Sequence, residues 1–93
     1  QSPTVHLIFS SRGLEFARVR SAPNDTWVLI GDGVYAISQL TEQPASAPEI
    51  QVMIADAMQR GVTVPKAASQ LQPIDDVALV GLIAQSGRTV SWQ

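Results

Sequence analysis

Apolar positions in this chain gather into short dense runs separated by mixed or polar stretches. The densest run is Trp27-Val28-Leu29-Ile30, preceded by the turn signal Pro23-Asn24-Asp25 and followed by Gly31-Asp32-Gly33. A run this short cannot span a bilayer. It suits a strand, placed over 27–31, that is covered on both faces as in a parallel sheet flanked by helices. Val5-His6-Leu7-Ile8-Phe9 and Ile50-Gln51-Val52-Met53-Ile54 are further strand candidates, and Thr89-Val90-Ser91-Trp92 alternates as a half-exposed strand should. Leu71–Ile74 reads as a fourth, short strand at a sheet edge, because Pro73 cannot donate to a ladder.

Between these runs the spacing turns helical. Ser10 or Ser11 is placed to cap a helix over 13–20, and Asp32 to cap one over 34–40. Asp56 opens a short helix that closes on Arg60-Gly61, with a basic last turn and a glycine stop. Asp75-Asp76 caps a helix over 77–86 that ends at Gly87. Its Val77, Leu79, Val80, Leu82, Ile83 and Ala84 are apolar nearly all the way round, so it is expected to be buried against the sheet and against something else. The stretches 42–48 and 62–68 read as loops. Five strands alternating with four short helices predict a parallel α/β sandwich formed by one domain, 1–93.

Composition narrows the functional classes. Of the 93 residues 45% are hydrophobic and 15% charged, against about 25% charged in a typical domain, which suggests apolar surface left for a partner. No cysteine is present, so a disulfide, a thiolate metal site, a cysteine nucleophile and a persulfide on this chain are all excluded. A lone histidine argues against a zinc site. The net charge of −2 argues against direct nucleic-acid binding, and Arg12, Arg18, Arg20 and Arg60 are too scattered to form a basic stripe. No signal peptide or membrane span is visible, which predicts a soluble, cytoplasmic protein. Gln1-Ser2-Pro3 is set aside as an expression scar or a processed or disordered end.

The order and separation of several short motifs match a known family. They are Val5-His6 on the first strand, Asp32-Gly33-Val34-Tyr35-Ala36 after a strand, and Asp56 with Arg60-Gly61 closing the same helix. Ile74-Asp75 then precedes Leu79-Val80 and Leu82, and Val90-Ser91-Trp92 stands close to the family's habitual tryptophan terminus. Over nearly its whole length the chain resembles the DsrH/TusB family of sulfur-relay subunits. That resemblance implies a three-layer α/β/α fold with a five-stranded, mainly parallel sheet in the order 4-3-2-1-5. It also implies a heterohexamer with DsrE/TusD-like and DsrF/TusC-like subunits, which hands persulfide sulfur to a DsrC/TusE-type carrier. The sulfur then goes to 2-thiouridine at tRNA wobble positions or into dissimilatory sulfur oxidation. The relay cysteine belongs to the DsrE/TusD-like subunit, so this chain is expected to be non-catalytic, with no cofactor, metal or direct nucleic-acid contact. Two departures are Ser11-Arg12 where the family often has Ser-Pro, and the absence of the first-helix cysteine that some members carry.

His6, Ser11, Asp32, Gly33, Tyr35 and Trp92 are the candidate partner-interface residues. Asp32 reads first as a helix cap and second as a docking contact for the carrier or a partner's active-site loop. Gly31-Asp32-Gly33 has neither the G-x-G-x-x-G spacing nor the lysine of a phosphate loop. His6 with Ser10, Ser11 and Asp32 supplies the residue types of a hydrolase triad, but without a G-x-S-x-G elbow. A small Ser/His hydrolase is therefore the minor alternative. A homo-oligomeric interaction module of the same fold is the other. Trp27 and Trp92 read as packing residues, with Trp92 also suited to a subunit contact.

Overall fold

The computed structural model describes residues 4–22, 24–39, 49–64 and 71–93. The expected loop 42–48, part of the stretch 62–68 and the segment 1–3 lie outside the described residues. In chain order the elements are β1 (Thr4–Ile8), α1 (Ser11–Arg20), β2 (Thr26–Leu29), a 3-10 helix (Gly31–Gln39) and β3 (Glu49–Met53). They continue with α2 (Ile54–Gln59), β4 (Leu71–Ile74), α3 (Asp76–Gln85) and β5 (Arg88–Trp92). All strand pairs are parallel, in the order β4-β3-β2-β1-β5. The apolar run of β2 is central and buried at every position, and the Pro73 strand is at an edge, as its missing donor requires.

Strand parity divides the core between the two faces of the sheet. Ile8, Trp27, Leu29, Ile50, Val52 and Leu71 point one way, into the main core with Leu14 and Ala17 of α1, Val34 and Ile37 of the 3-10 helix and Ala57 of α2. Val5, Val28 and Met53 point the other way, toward Leu79 and Leu82 of α3. Helices therefore cover both faces, but unequally.

That inequality follows from the connections. The chain steps from β1 to β4 across one face, then crosses to the far edge to form β5. Four strand spacings amount to roughly 19 Å, and the ten residues of α3 rise only about 15 Å. One helix of that length cannot cover the back of the sheet. The last helix, expected to be buried against the sheet and against something else, does rest on the sheet through Leu79 and Leu82; within this chain none of its residues is buried, and Val77 is 80% and Val80 67% exposed. No helix among the described residues is long and apolar enough to cross a membrane.

Local chemistry explains the element ends. Ser10 caps α1 by accepting the Gly13 N–H at 3.0 Å, and Asp75 caps α3 by accepting the Ala78 N–H at 2.8 Å. Asp56 does not open α2, which starts at Ile54 after a cap residue, Met53, that makes no side-chain cap bond. The helix expected over 34–40 is a 3-10 helix from Gly31. Its exposed residues are Asp32, Tyr35 and Ser38, and its buried ones Gly33, Val34, Ala36 and Ile37, a repeat of three that matches three residues per turn. Gly31 turns the corner with φ 57°. Gly33 lies directly on the end of β1, where any Cβ would overlap the Ile8 carbonyl.

Gly33→Ala is expected to cost about 2 kcal/mol or more, because backbone rather than a flexible side chain would have to move. Gly81→Ala, where a Cβ meets nothing within 4 Å, is expected to stabilise the protein by about 0.5–1 kcal/mol through helix propensity. Urea unfolding of the two variants beside the parent checks both signs.

Candidate functional site

A buried polar chain built around His6 runs from the carboxyl end of β5 toward the amino end of the sheet. The His6 ring is 3% exposed and lies on β1, facing α1. Trp92 on β5 donates its indole Nε1–H to His6 Nδ1 at 2.9 Å. An indole N–H only donates, so Nδ1 is the acceptor and the ring proton resides on Nε2. Nε2 then donates to Asp25 Oδ2 at 2.9 Å. Asp25, 7% exposed, also accepts the backbone N–H of Thr4 at 3.0 Å and of Ala22 at 2.9 Å. The Trp92 ring stacks on His6 and on Phe16, with centroids 6.2 and 6.1 Å apart.

Burial alone pushes the Asp25 carboxyl up. The Ala22 N–H, the His6 ring and the Thr4 N–H together outweigh it and hold the group below the usual carboxylate value of 3.8. With the native value depressed, the carboxylate contributes stability in full above the unfolded value and loses it as pH falls through the native one.

Where the strands end, the geometry is more open. Asp32, 72% exposed at its side chain, accepts Arg60 Nε at 2.9 Å. The cap role expected of Asp32 falls to another residue: Asp56 Oδ2 accepts the Gly31 N–H at 2.9 Å, 25 positions away in sequence. The Asp32 hydrogen bond, set against a smaller desolvation penalty, raises the Arg60 guanidinium further above its ordinary value, and the charges of Asp32, Asp56 and Tyr35 add to it. A crevice between β1 and β5 is the usual ligand position in an open sheet of this order. Here the first turn of α1 is pressed onto the end of β5, so a Cβ on Gly13 would overlap the Trp92 carbonyl.

The six interface candidates thus separate into two groups. His6 and Trp92 are bonded to each other inside the protein. Asp32 and Tyr35 stand one above the other on the exposed ridge of the 3-10 helix, and Gly33 is buried behind them. Ser11 is the half-buried first residue of α1, beside the capping Ser10. His6, Ser11 and Asp32 are not brought together, since both His6 nitrogens are bonded to Asp25 and Trp92. Sequence reasoning read Asp25 only as part of a turn, and nothing local distinguishes a turn aspartate from one that accepts a hydrogen bond from a strand histidine. Among the described residues no group of three or more His, Cys, Asp or Glu is placed to hold a metal ion. No protein-family model matches this chain, and no curated protein matches it.

Trp92→Phe keeps the ring stack but leaves buried His6 Nδ1 without its donor, an expected loss of about 1–3 kcal/mol in urea unfolding. Parent stability is expected to fall as pH drops below the ordinary carboxylate range. Asp25→Asn, which removes the titrating group, is expected to be less stable at neutral pH and to show a flatter acid limb, as read by unfolding midpoints between neutral and acid pH.

Proposed function

We propose that this chain is a non-catalytic, cytoplasmic subunit of a heteromeric sulfur-relay complex. In this reading it assembles with DsrE/TusD-like and DsrF/TusC-like subunits. The complex passes persulfide sulfur to a DsrC/TusE-type carrier, toward tRNA wobble thiolation or sulfur oxidation. The observation that carries the reading is the uncovered apolar face of α3. Val77, Val80 and Ile83 are exposed there while Leu79 and Leu82 hold the helix to the sheet. Solvent gives such a stripe no stabilisation, whereas a neighbouring subunit does. The lack of any cysteine fits a member that leaves the sulfur chemistry to a neighbour, and the strand order is the one the resemblance implies. The Asp32–Tyr35 ridge, with Arg60 beside it, is the polar surface offered for docking.

Co-expression with the two partner-type subunits from the same genome, followed by native mass spectrometry, is expected to yield a mixed complex. A lone monomer at every mixing ratio would sink the reading, and a pure homo-oligomer would favour the interaction module instead. Val80→Lys changes an exposed position and is expected to alter the chain's own stability by no more than about 0.5 kcal/mol. It is expected to abolish the mixed complex.

A further inference from the structure

Arg20 and Arg88, separated by most of the chain, are brought together by the fold. Arg20 is the last residue of α1, and Arg88 opens β5 directly beside Thr4 in register. Both line a pocket of about 190 Å³ on the α1 face of the sheet, which also includes Thr4, Asp25 and Trp92. Neither arginine is in an ion pair among the described residues. Asp25 shares the pocket, but its carboxylate is already engaged by the Thr4 and Ala22 N–H groups and by His6. The result is two arginines and one carboxylate lining a single concavity in a chain whose net charge is −2. Like charges lining one concavity repel, and the single Asp25 carboxylate offsets only one of the two.

We propose that this pocket binds a small oxyanion between Arg20 and Arg88, a function separate from the relay reading and not dependent on it. The volume is below the roughly 300 Å³ at which pockets for larger organic ligands begin. A phosphate-, sulfate- or carboxylate-sized group with one or two waters, each needing about 30 Å³, fits it. Guanidinium forks match the paired oxygens of such a group, and Thr4, also in the lining, is a residue type that can add a neutral donor. Val90 and Trp92 supply the apolar part of the lining.

The probes are inorganic phosphate, sulfate and acetate, each titrated at constant pH and ionic strength with chloride as the reference. The readouts are the Trp92 indole N–H and the Thr4 and Arg88 amide signals in NMR spectra of the full chain. A saturable shift centred on these signals is expected. Arg20→Ala and Arg88→Ala should each raise the apparent Kd about tenfold or more, the scale of a lost charged hydrogen bond. Arg12→Ala, whose guanidinium sits 5.8 Å over the Phe16 ring instead, should leave it unchanged. Preference for phosphate and sulfate identifies a phosphoryl or sulfuryl group, and preference for acetate a carboxylate; either supports the site. Shifts that fail to saturate, or that both arginine variants leave intact, would overturn it. Should Arg88→Ala fail to fold, Arg20→Ala decides alone.

Discussion

The hydrogen-bonded chain from Trp92 through His6 to Asp25 is the constraint on which the rest of the fold depends. It joins β5, β1 and the turn before β2, and the pair at one end lies 86 positions apart. Each group has a single satisfactory role: the indole donates, the imidazole accepts on one nitrogen and donates on the other, and the carboxylate accepts. A one-residue slip of β5 would turn Trp92 to the other face of the sheet and leave His6 buried without its donor. The register of an edge strand, otherwise weakly specified, is fixed by this polar contact together with the aromatic stack on Phe16.

The two faces of the sheet have different physical characters. One is closed by three helical segments whose glycines and alanines allow near-contact between backbones, as at Gly33 over Ile8 and Gly13 over Trp92. The other has a single helix set across a wide surface. On that side Gln51 is buried with its Oε1 unpartnered among the described residues, while its Nε2 donates to Glu49. A buried acceptor without a donor is costly. It stands on the same side of the sheet as the exposed valines of α3, the less completed half of the structure.

How much of this was legible in the sequence depended on the range of the interaction. Strand positions followed from apolar runs and from Pro73, because burial on both faces leaves a local trace. The cap at Asp75 was legible, and that at Ser10 as one of two serines, because a cap bonds an N–H only three residues on. Asp32 shares its chemistry with a cap residue, but the acceptor that Gly31 uses comes from α2, 25 positions on, where no local pattern reveals it. The three-residue repeat of Asp32, Tyr35 and Ser38 was visible but too short to separate a 3-10 helix from an α-helix. The shared pocket of Arg20 and Arg88 and the bond of His6 to Asp25 depend on how distant segments are brought side by side, which no local pattern encodes.

The placement of β1 between β2 and β5 has a kinetic side. One edge of β1 is paired as soon as β2 forms, but the other stays open until the chain has passed through β4 and α3. For that interval the N–H and C=O groups along one side of β1 are a template for any extended strand nearby. Closing that edge requires the longest-range contact in the sheet, a loop-closure step that slows folding more than it affects final stability. The charged Arg88 at the start of β5 and the polar Thr89 and Ser91 along it make the closing strand soluble while it waits.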